Sequence, residues 1–435
     1  DEGEYMITGV KELILYRDLE NGQILLDMTW ILEHLEKKEQ ISEVRDRFFS
    51  CMHDLVELAG NYGFENNLWH NYLTFLLVNN ENIFSTACEI RGVTEGSLLS
   101  LARHDFAIFR ELFACDFTEL ERMLQAGVFE EFLHYARTES TGKLFNRRIR
   151  DRICELSDQL ANAETLEAFT EYMVSFYKEF GVGKLGLHKA FRVAHVGDDV
   201  QIEPITNIAH VKLEDLVGYE IQKKKLIDNT EAFVEGRSAN NCLLFGDAGT
   251  GKSSSIKAIL NRYYDRGLRI IEVYKHQFQD LNEVIAQIKN RNYKFIIYMD
   301  DLSFEEFEIE YKYLKAVIEG GLEKKPDNIL IYATSNRRHL IKESFRDNEE
   351  LHGDLHSNDT IQEKLSLVSR FGVTIYFGSP DKKEFQQIVR TLAERNGIDM
   401  PEDQLLLEAN KWELSHGGLS GRTAQQFVDY VLGTA

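Results

Sequence analysis

Eight consecutive residues, 246–253 (GDAGTGKS), restrict the fold of this 435-residue chain more than any other segment. They match the pattern G-x-x-x-x-G-K-S, whose glycines let backbone N–H groups turn toward the phosphates of a nucleotide. The apolar run 242–245 comes directly before them, and a helical stretch, 254–264, comes directly after. This order predicts a phosphate-binding loop between a buried strand and the positive end of a helix.

Each residue type in this loop suits one part of a magnesium-bound triphosphate. Lys252 would place its ammonium group on the β- and γ-phosphates, and the Ser253 hydroxyl would ligate Mg²⁺. The sequence shows no Asn-Lys-x-Asp guanine signature, so we expect ATP as the nucleotide. The predicted contacts to ATP in this segment come from Gly246, Asp247, Ala248, Gly249, Thr250, Gly251, Lys252, Ser253 and Ser254.

The chain around the loop alternates compact apolar runs with helical stretches. The runs cover residues 242–245, 268–273, 295–299, 329–334 and 373–377. Strands separated by helices predict a mostly parallel α/β sheet with helices on both faces. Residues 212–380 are therefore predicted to form an α/β subdomain. From Asp381, which has capping spacing to Glu384, residues 381–435 are predicted to form a helical subdomain.

Polar side chains follow two of these runs. Asp300 and Asp301 come directly after residues 295–299, and Asn336 follows the next run. Behind a phosphate loop, Asp300 would hold the magnesium shell and the next acid would polarise the attacking water. Asp301 is one methylene shorter than the Glu that many ATPases have there, so Glu305 or Glu306 is the alternative base. Asn336 would orient the lytic water against the γ-phosphate.

The first half of the chain has a different pattern. All four prolines lie at or beyond position 204, and Phe106, Phe109 and Phe113 recur at helical spacing. We predict an α-helical domain over residues 1–190. Short β-like pieces interrupted by glycine, aspartate and proline then predict a connecting hairpin over residues 191–211.

Charge and composition exclude other classes of protein. Lys and Arg total 50 against 72 Asp and Glu, a net charge of −22, so general coating of nucleic acid is disfavoured. The densest apolar run, residues 72–78, is far shorter than the roughly 20 residues that span a bilayer, and we expect no membrane anchor. Five widely spaced cysteines favour free thiols and a cytoplasmic location.

The loop, the strand that ends in two acids and the strand that ends in Asn336 together resemble the AAA+ ATPase superfamily. More narrowly, residues 300–305 (DDLSFE) and 333–340 (ATSNRRHL) are similar to a bacterial AAA+ family known only as a domain of unknown function. The resemblance extends to residues 80–85 in the N-terminal half. It implies a P-loop α/β module with a helical lid, ATP hydrolysis with Mg²⁺, and a homo-oligomer such as a hexameric ring.

The resemblance also implies roles for residues outside the loop. Arg370, within residues 366–372 (SLVSRFG), corresponds to the arginine finger that enters the ATP site of a neighbouring subunit. Arg422, within residues 418–422 (GLSGR), corresponds to the second sensor, which contacts the γ-phosphate in cis. Gly218 and Tyr219 resemble the segment that lines the adenine pocket.

We therefore expect an Mg²⁺-dependent ATPase whose N-terminal domain docks a protein partner and whose hydrolysis remodels that partner. The alternative is an ATP-gated switch or loader with little hydrolysis, suggested by the shorter acid at Asp301. A P-loop kinase is a third class, and the Asn336 and Arg370 segments argue against it.

Overall fold

The computed structural model describes residues 9–34, 41–92, 95–136, 146–303, 309–320, 325–336 and 367–434. The chain divides into two compact units, Asp1–His188 and Lys189–Ala435. Each unit has a hydrophobic core of its own. No helix within the described ranges is both long and apolar enough to cross a membrane. The finer boundaries expected at residues 190, 211 and 380 stay predictions.

The first unit is built from α-helices, and one of them lies at its centre. Ten of the 12 residues of Leu68–Asn79 are buried, which is typical of a helix surrounded by others. Its N-terminus is capped by the Asn67 side chain, which accepts a hydrogen bond from His70 N. The described helices of this unit are α1 (Gln23–His34), α2 (Ile41–Tyr62), α3 (Leu68–Asn79), α4 (Ile83–Arg91), α5 (Ser97–Phe113), α6 (Thr118–Leu124), α7 (Phe129–Leu133), α8 (Arg147–Ala161), α9 (Leu166–Phe180) and α10 (Gly183–Leu187).

A buried carboxylate attaches the N-terminal segment to α5. Asp105 is fully buried and accepts hydrogen bonds from the backbone N–H groups of Ile14, Leu15 and Tyr16 at 2.7 to 3.1 Å. The Tyr16 hydroxyl in turn lies 2.7 Å from the Tyr177 hydroxyl of α9. Because a buried charge is costly unless hydrogen-bonded, these three donors make the carboxylate tolerable in the core.

The second unit contains a seven-stranded sheet. Its strands are β1 (Ala190–Val196), β2 (Asp199–Pro204), β3 (Cys242–Gly246), β4 (Leu268–Glu272), β5 (Lys294–Met299), β6 (Ile329–Ser335) and β7 (Val373–Phe377), in the order β2-β1-β4-β5-β6-β3-β7. β2 pairs antiparallel with β1, and every other pairing is parallel. The predicted hairpin is thus more than a connection, because it extends the sheet beyond β4.

Helices cover the sheet and form the lid. The described α-helices of this unit are α11 (Glu220–Val234), α12 (Lys252–Tyr263), α13 (Leu281–Ile288), α14 (Ile309–Glu319), α15 (Lys382–Arg395), α16 (Glu402–Ser415) and α17 (Gly421–Thr434). α15, α16 and α17 share a separate core that includes Phe385, Leu405 and Phe427. The predicted fold class is confirmed: an α/β P-loop module with a helical lid follows an α-helical N-terminal region.

The strand order decides where functional side chains meet. β3 lies between β6 and β7, and β5 lies beside β6. Because these strands are parallel, their carboxyl ends lie along one edge of the sheet, where α/β proteins bind ligands. The loop after β3, the acids after β5 and the end of β6 are therefore neighbours.

We predict that Asp105→Ala destabilises the first unit by about 3 kcal/mol, because three backbone N–H donors lose their buried acceptor. The amide protons of Ile14, Leu15 and Tyr16 should exchange much faster. Urea denaturation and hydrogen exchange measure the two effects. Glu121→Ala, which removes an exposed carboxylate on α6, is the control and should change stability by less than about 0.5 kcal/mol. Unchanged protection at these amides in Asp105→Ala would contradict the assigned role.

Candidate nucleotide-binding site

The phosphate loop leaves β3 through a passage that only glycine fits. Gly246 has a φ of 135°, and a Cβ there would lie 2.2 Å from the Phe377 carbonyl oxygen of β7. At the other end of the loop, Gly251 (φ 94°) is the N-cap of α12. Positive φ values at this position and at Gly249 turn successive backbone N–H groups toward one side, which is the geometry of an anion-binding loop.

Lys252 lies within the curve of this loop. Its side chain is almost fully buried, and its Nζ donates hydrogen bonds to the carbonyl oxygens of Asp247 and, at 3.5 Å, Gly246. Burial lowers the pKa of the ammonium group, and the carboxylates of Asp247, Asp301 and Asp300 oppose that shift. A buried cation at the N-terminus of a helix is a suitable binding group for a phosphate.

Asp300 is held by hydroxyl groups from three elements. Its Oδ1 accepts hydrogen bonds from Ser253 Oγ of α12 at 2.7 Å, Tyr298 OH of β5 at 2.7 Å and Thr334 Oγ1 of β6 at 2.6 Å. Burial raises the pKa of the carboxyl, but the bonds from Thr334, Tyr298 and Ser253 outweigh it, so the pKa lies below its ordinary value. An ionised carboxylate beside a serine hydroxyl is an oxygen donor set that fits Mg²⁺.

Asp301 adopts an unusual backbone conformation next to this carboxylate. Its φ is +52°, a region that few residues other than glycine adopt. Its N–H donates to Thr334 Oγ1 at 2.9 Å, and its Oδ1 accepts a hydrogen bond from Asn336 Nδ2 at 2.9 Å. The candidate base, Asp301, and the residue expected to orient the water, Asn336, are therefore hydrogen-bonded to each other in this structure.

A cleft of about 540 Å³ opens above these groups. Its lining combines polar and charged side chains with apolar ones. The apolar part includes Ile388 and Leu392 of α15, which sequence reasoning had not marked as site residues. The lining residues are Asp215, Leu216, Val217, Tyr219, Gly249, Thr250, Gly251, Lys252, Ser253, Ser254, Asp300, Asp301, Asn336, Ile388, Leu392, Gly421, Arg422, Gln425 and Gln426.

The predicted adenine segment is divided between two clefts. Tyr219 (φ 60°) lines the main cleft; its hydroxyl donates to the Gly378 carbonyl oxygen at 2.8 Å, and its ring stacks on Phe377. Burial raises the pKa of Tyr219 to about 12, so the phenol stays protonated at neutral pH. Gly218 lines a neighbouring cleft with Lys223 instead.

The two candidate arginines occupy different places. Arg422 begins the first turn of α17 and lines the cleft of its own chain, and its N–H donates to the Gly249 carbonyl oxygen at 3.1 Å. Arg370 is not among the described residues that line this cleft. Its Nη2 lies 2.6 Å from Glu319 Oε1 at the end of α14.

Three other residues predicted to belong to the site remain to be placed. Asp247 serves the loop's attachment: its N–H donates to Phe377 O at 3.0 Å, and its Oδ2 accepts from Ser379 N at 2.7 Å. Ala248 belongs to the loop but is not among the described residues that line the cleft. Glu305 lies outside the described residues.

Sequence reasoning missed Tyr298 and Thr334. Both lie two positions before a polar strand end, Tyr298 before Asp300 and Thr334 before Asn336. Residues two apart in a strand face the same side, so this spacing was the available signal. Hydroxyl-bearing residues are also common in buried strands for packing reasons, which hid that signal.

A phosphate loop after β3, an acid at the carboxyl end of β5 and an arginine from a helical lid define an AAA+ type P-loop module. The chain belongs to the family described as "Protein of unknown function (DUF815)", whose profile matches residues 186–435. The predicted membership of an AAA+ family of unknown function is thereby confirmed.

Two kinds of relatives are similar to part of the chain. The chromosomal replication initiator protein DnaA of Borrelia garinii subsp. bavariensis and that of Borreliella burgdorferi are each 26% identical over 187 residues, 40% of this chain and 34% of the relative. The chain thus spans about a third of their length. The solved structure of the Thermotoga maritima RuvB Holliday junction branch migration motor is 16% identical, with a TM-score of 0.35, and the match covers 51% of this chain and 64% of that one.

Proposed function

We propose that this chain binds and hydrolyses ATP with Mg²⁺ and uses the nucleotide state to dock or remodel a protein partner. One observation carries the proposal. Lys252, the Ser253–Asp300 pair and the Asp301–Asn336 pair all line one cleft, and apolar residues of the lid line the same cleft. A cleft that combines cationic and polar groups with apolar ones suits a triphosphate joined to a flat, largely apolar base.

Binding follows from the loop. The N–H groups at the start of α12 and the Lys252 side chain would neutralise phosphate charge, and Ile388 and Leu392, which line the cleft, would contact the base. Ser253 and Asp300 would hold Mg²⁺. When bound, Mg²⁺ would offset the negative charge that develops on the phosphate oxygens.

Hydrolysis requires a base and a positioned water. We assign the base to Asp301 and the positioning group to Asn336, because both border the cleft and their side chains already share a hydrogen bond. Glu305 stays the alternative base. Arg422 approaches the phosphates from the lid of the same chain, whereas Arg370 must leave Glu319 before it can serve a neighbouring subunit.

Substitution of Lys252 tests the binding of ATP. Lys252→Ala should weaken MgATP binding by more than about 100-fold, because the triphosphate loses its buried cationic partner. Titration calorimetry on nucleotide-stripped protein measures the affinity. Lys257→Ala removes an exposed lysine from the same helix and should leave the affinity within about twofold of wild type. The absence of any heat with MgATP in the wild-type protein would refute the proposed function.

A second candidate function is an ATP-gated switch that hydrolyses little. The short Asp301 side chain favours this candidate, because its carboxylate reaches one methylene less far toward an attacking water than the Glu of many ATPases does. Steady-state phosphate release separates the two functions. The switch would show tight ATP binding with negligible turnover.

Substitution of the base tests the ATPase directly. We predict that Asp301→Asn, which is isosteric, retains ATP binding and lowers turnover by about 10²-fold or more, because the general base is lost. Phosphate release in a single-turnover measurement gives the rate of hydrolysis. Glu305→Gln is the comparison. If Glu305→Gln abolishes turnover while Asp301→Asn does not, the base has been assigned to the wrong residue.

The oligomer can be tested by mixing inactive variants. Lys252→Ala and Arg370→Ala should regain ATPase activity when mixed, because an intact loop in one subunit meets an intact Arg370 from its neighbour. Lys252→Ala mixed with Arg422→Ala should stay inactive, since Arg422 borders the cleft of its own chain. Equal behaviour of the two mixtures would contradict the assignment of Arg370 to the neighbouring site.

A further inference from the structure

We propose that Thr334 is the positioning residue for both acids of the site, with Tyr298 as its assistant. This inference rests on the proposed function and adds a residue pair that the nucleotide-loop pattern does not contain. Neither side chain is expected to touch the nucleotide. Thr334 would fix the direction of both carboxylates, the one that organises Mg²⁺ and the one that polarises water, and Tyr298 would fix the first of them.

The Thr334 hydroxyl connects the two acids in one step. It is buried, it donates to Asp300 Oδ1 at 2.6 Å, and it accepts the backbone N–H of Asp301 at 2.9 Å. A hydroxyl has one proton and two acceptor lone pairs, so donating to the carboxylate leaves it able to accept from an N–H group. The hydroxyl proton of Thr334 is therefore donated to Asp300, and the hydroxyl oxygen accepts the N–H of Asp301.

The backbone of β6 completes this attachment. The carbonyl oxygen of Thr334 accepts a hydrogen bond from Leu302 N at 2.6 Å, so one threonine binds the acid pair and the residue that follows it. Asp301 needs this support, because its φ of +52° is unfavourable for a residue with a Cβ. Fixed N–H groups on both sides of its Cα keep its side chain directed toward Asn336.

Tyr298 supplies the second constraint on the first acid. It lies two residues before Asp300, and in an extended strand residues two apart face the same side. Its hydroxyl donates to the same Oδ1 at 2.7 Å that receives the Thr334 bond. The other carboxylate oxygen, Oδ2, receives none of the three hydroxyl bonds.

The contribution of the hydroxyl can be separated from that of packing. Thr334→Val keeps the shape of the side chain and removes the hydrogen bonds, whereas Thr334→Ser keeps the hydroxyl and removes a methyl group. Tyr298→Phe keeps the ring. Thr230→Val removes another buried hydroxyl of this unit, one that is bonded to Leu226 O and Tyr332 OH, and is the matched control.

The experiment measures the affinity for MgATP and for metal-free ATP in EDTA by calorimetry, together with kcat and KM, after circular dichroism has verified folding. Thr334→Val should lower MgATP affinity and kcat about tenfold, as loss of an outer-shell partner does, and leave metal-free ATP binding within about twofold. Thr334→Ser should stay within about threefold of wild type, and Thr230→Val should match wild type. Tyr298→Phe should weaken the binding of MgATP by a smaller factor than Thr334→Val does, and it should not weaken the binding of metal-free ATP.

The possible results separate this inference from the function on which it rests. Wild-type affinity and kcat in Thr334→Val, equal defects in Thr334→Val and Thr334→Ser, or an equal loss of MgATP and metal-free ATP binding would each overturn the positioning role. If Thr334→Val does not fold, Tyr298→Phe decides by the same selectivity for MgATP. If the wild-type protein binds neither form of ATP, the proposed function itself fails.

Discussion

A hydrogen-bonded carboxylate at the carboxyl end of β5 is the group on which the candidate site depends. Asp300 joins the first turn of α12, β5 and β6 through three hydroxyl hydrogen bonds to a single oxygen. These bonds keep its pKa below the ordinary value despite the cost of burial, so a fixed negative charge faces the Lys252 ammonium group. The phosphate loop and the two strand ends therefore form one electrostatic unit rather than three separate features.

Part of this arrangement was predictable from the sequence because parallel strands impose it. Asp300, Asp301 and Asn336 each follow an apolar run, and parallel strands place their carboxyl ends along one edge. The positions of Tyr298 and Thr334 were not predictable in the same way, since a hydroxyl inside a β-rich run fits packing as well as it fits hydrogen bonding. Contacts that are distant in sequence leave no local pattern, and the pair of Arg370 with Glu319 is an example.

The apolar part of the cleft lining depends on two cores rather than one. Leu216 and Tyr219 pack against the core of the sheet, whereas Val217, between them in sequence, packs against the core of the lid. Ile388 and Leu392 fit the apolar spacing of α15, so their place in the cleft was hidden behind their role in lid packing. Because one short segment is shared by both cores, the width of the cleft depends on the position of the lid.

Arg422 has two separate roles, because its backbone N–H bonds to the Gly249 carbonyl oxygen while its side chain lines the cleft. This bond joins α17 to the loop through main-chain atoms, whereas the charge that Arg422 offers to the cleft is on its guanidinium group. Evolution can therefore replace the side chain at this position while the main-chain bond between lid and loop survives. On the proposed function, a descendant that loses hydrolysis in this way keeps the connection between its lid and its nucleotide loop.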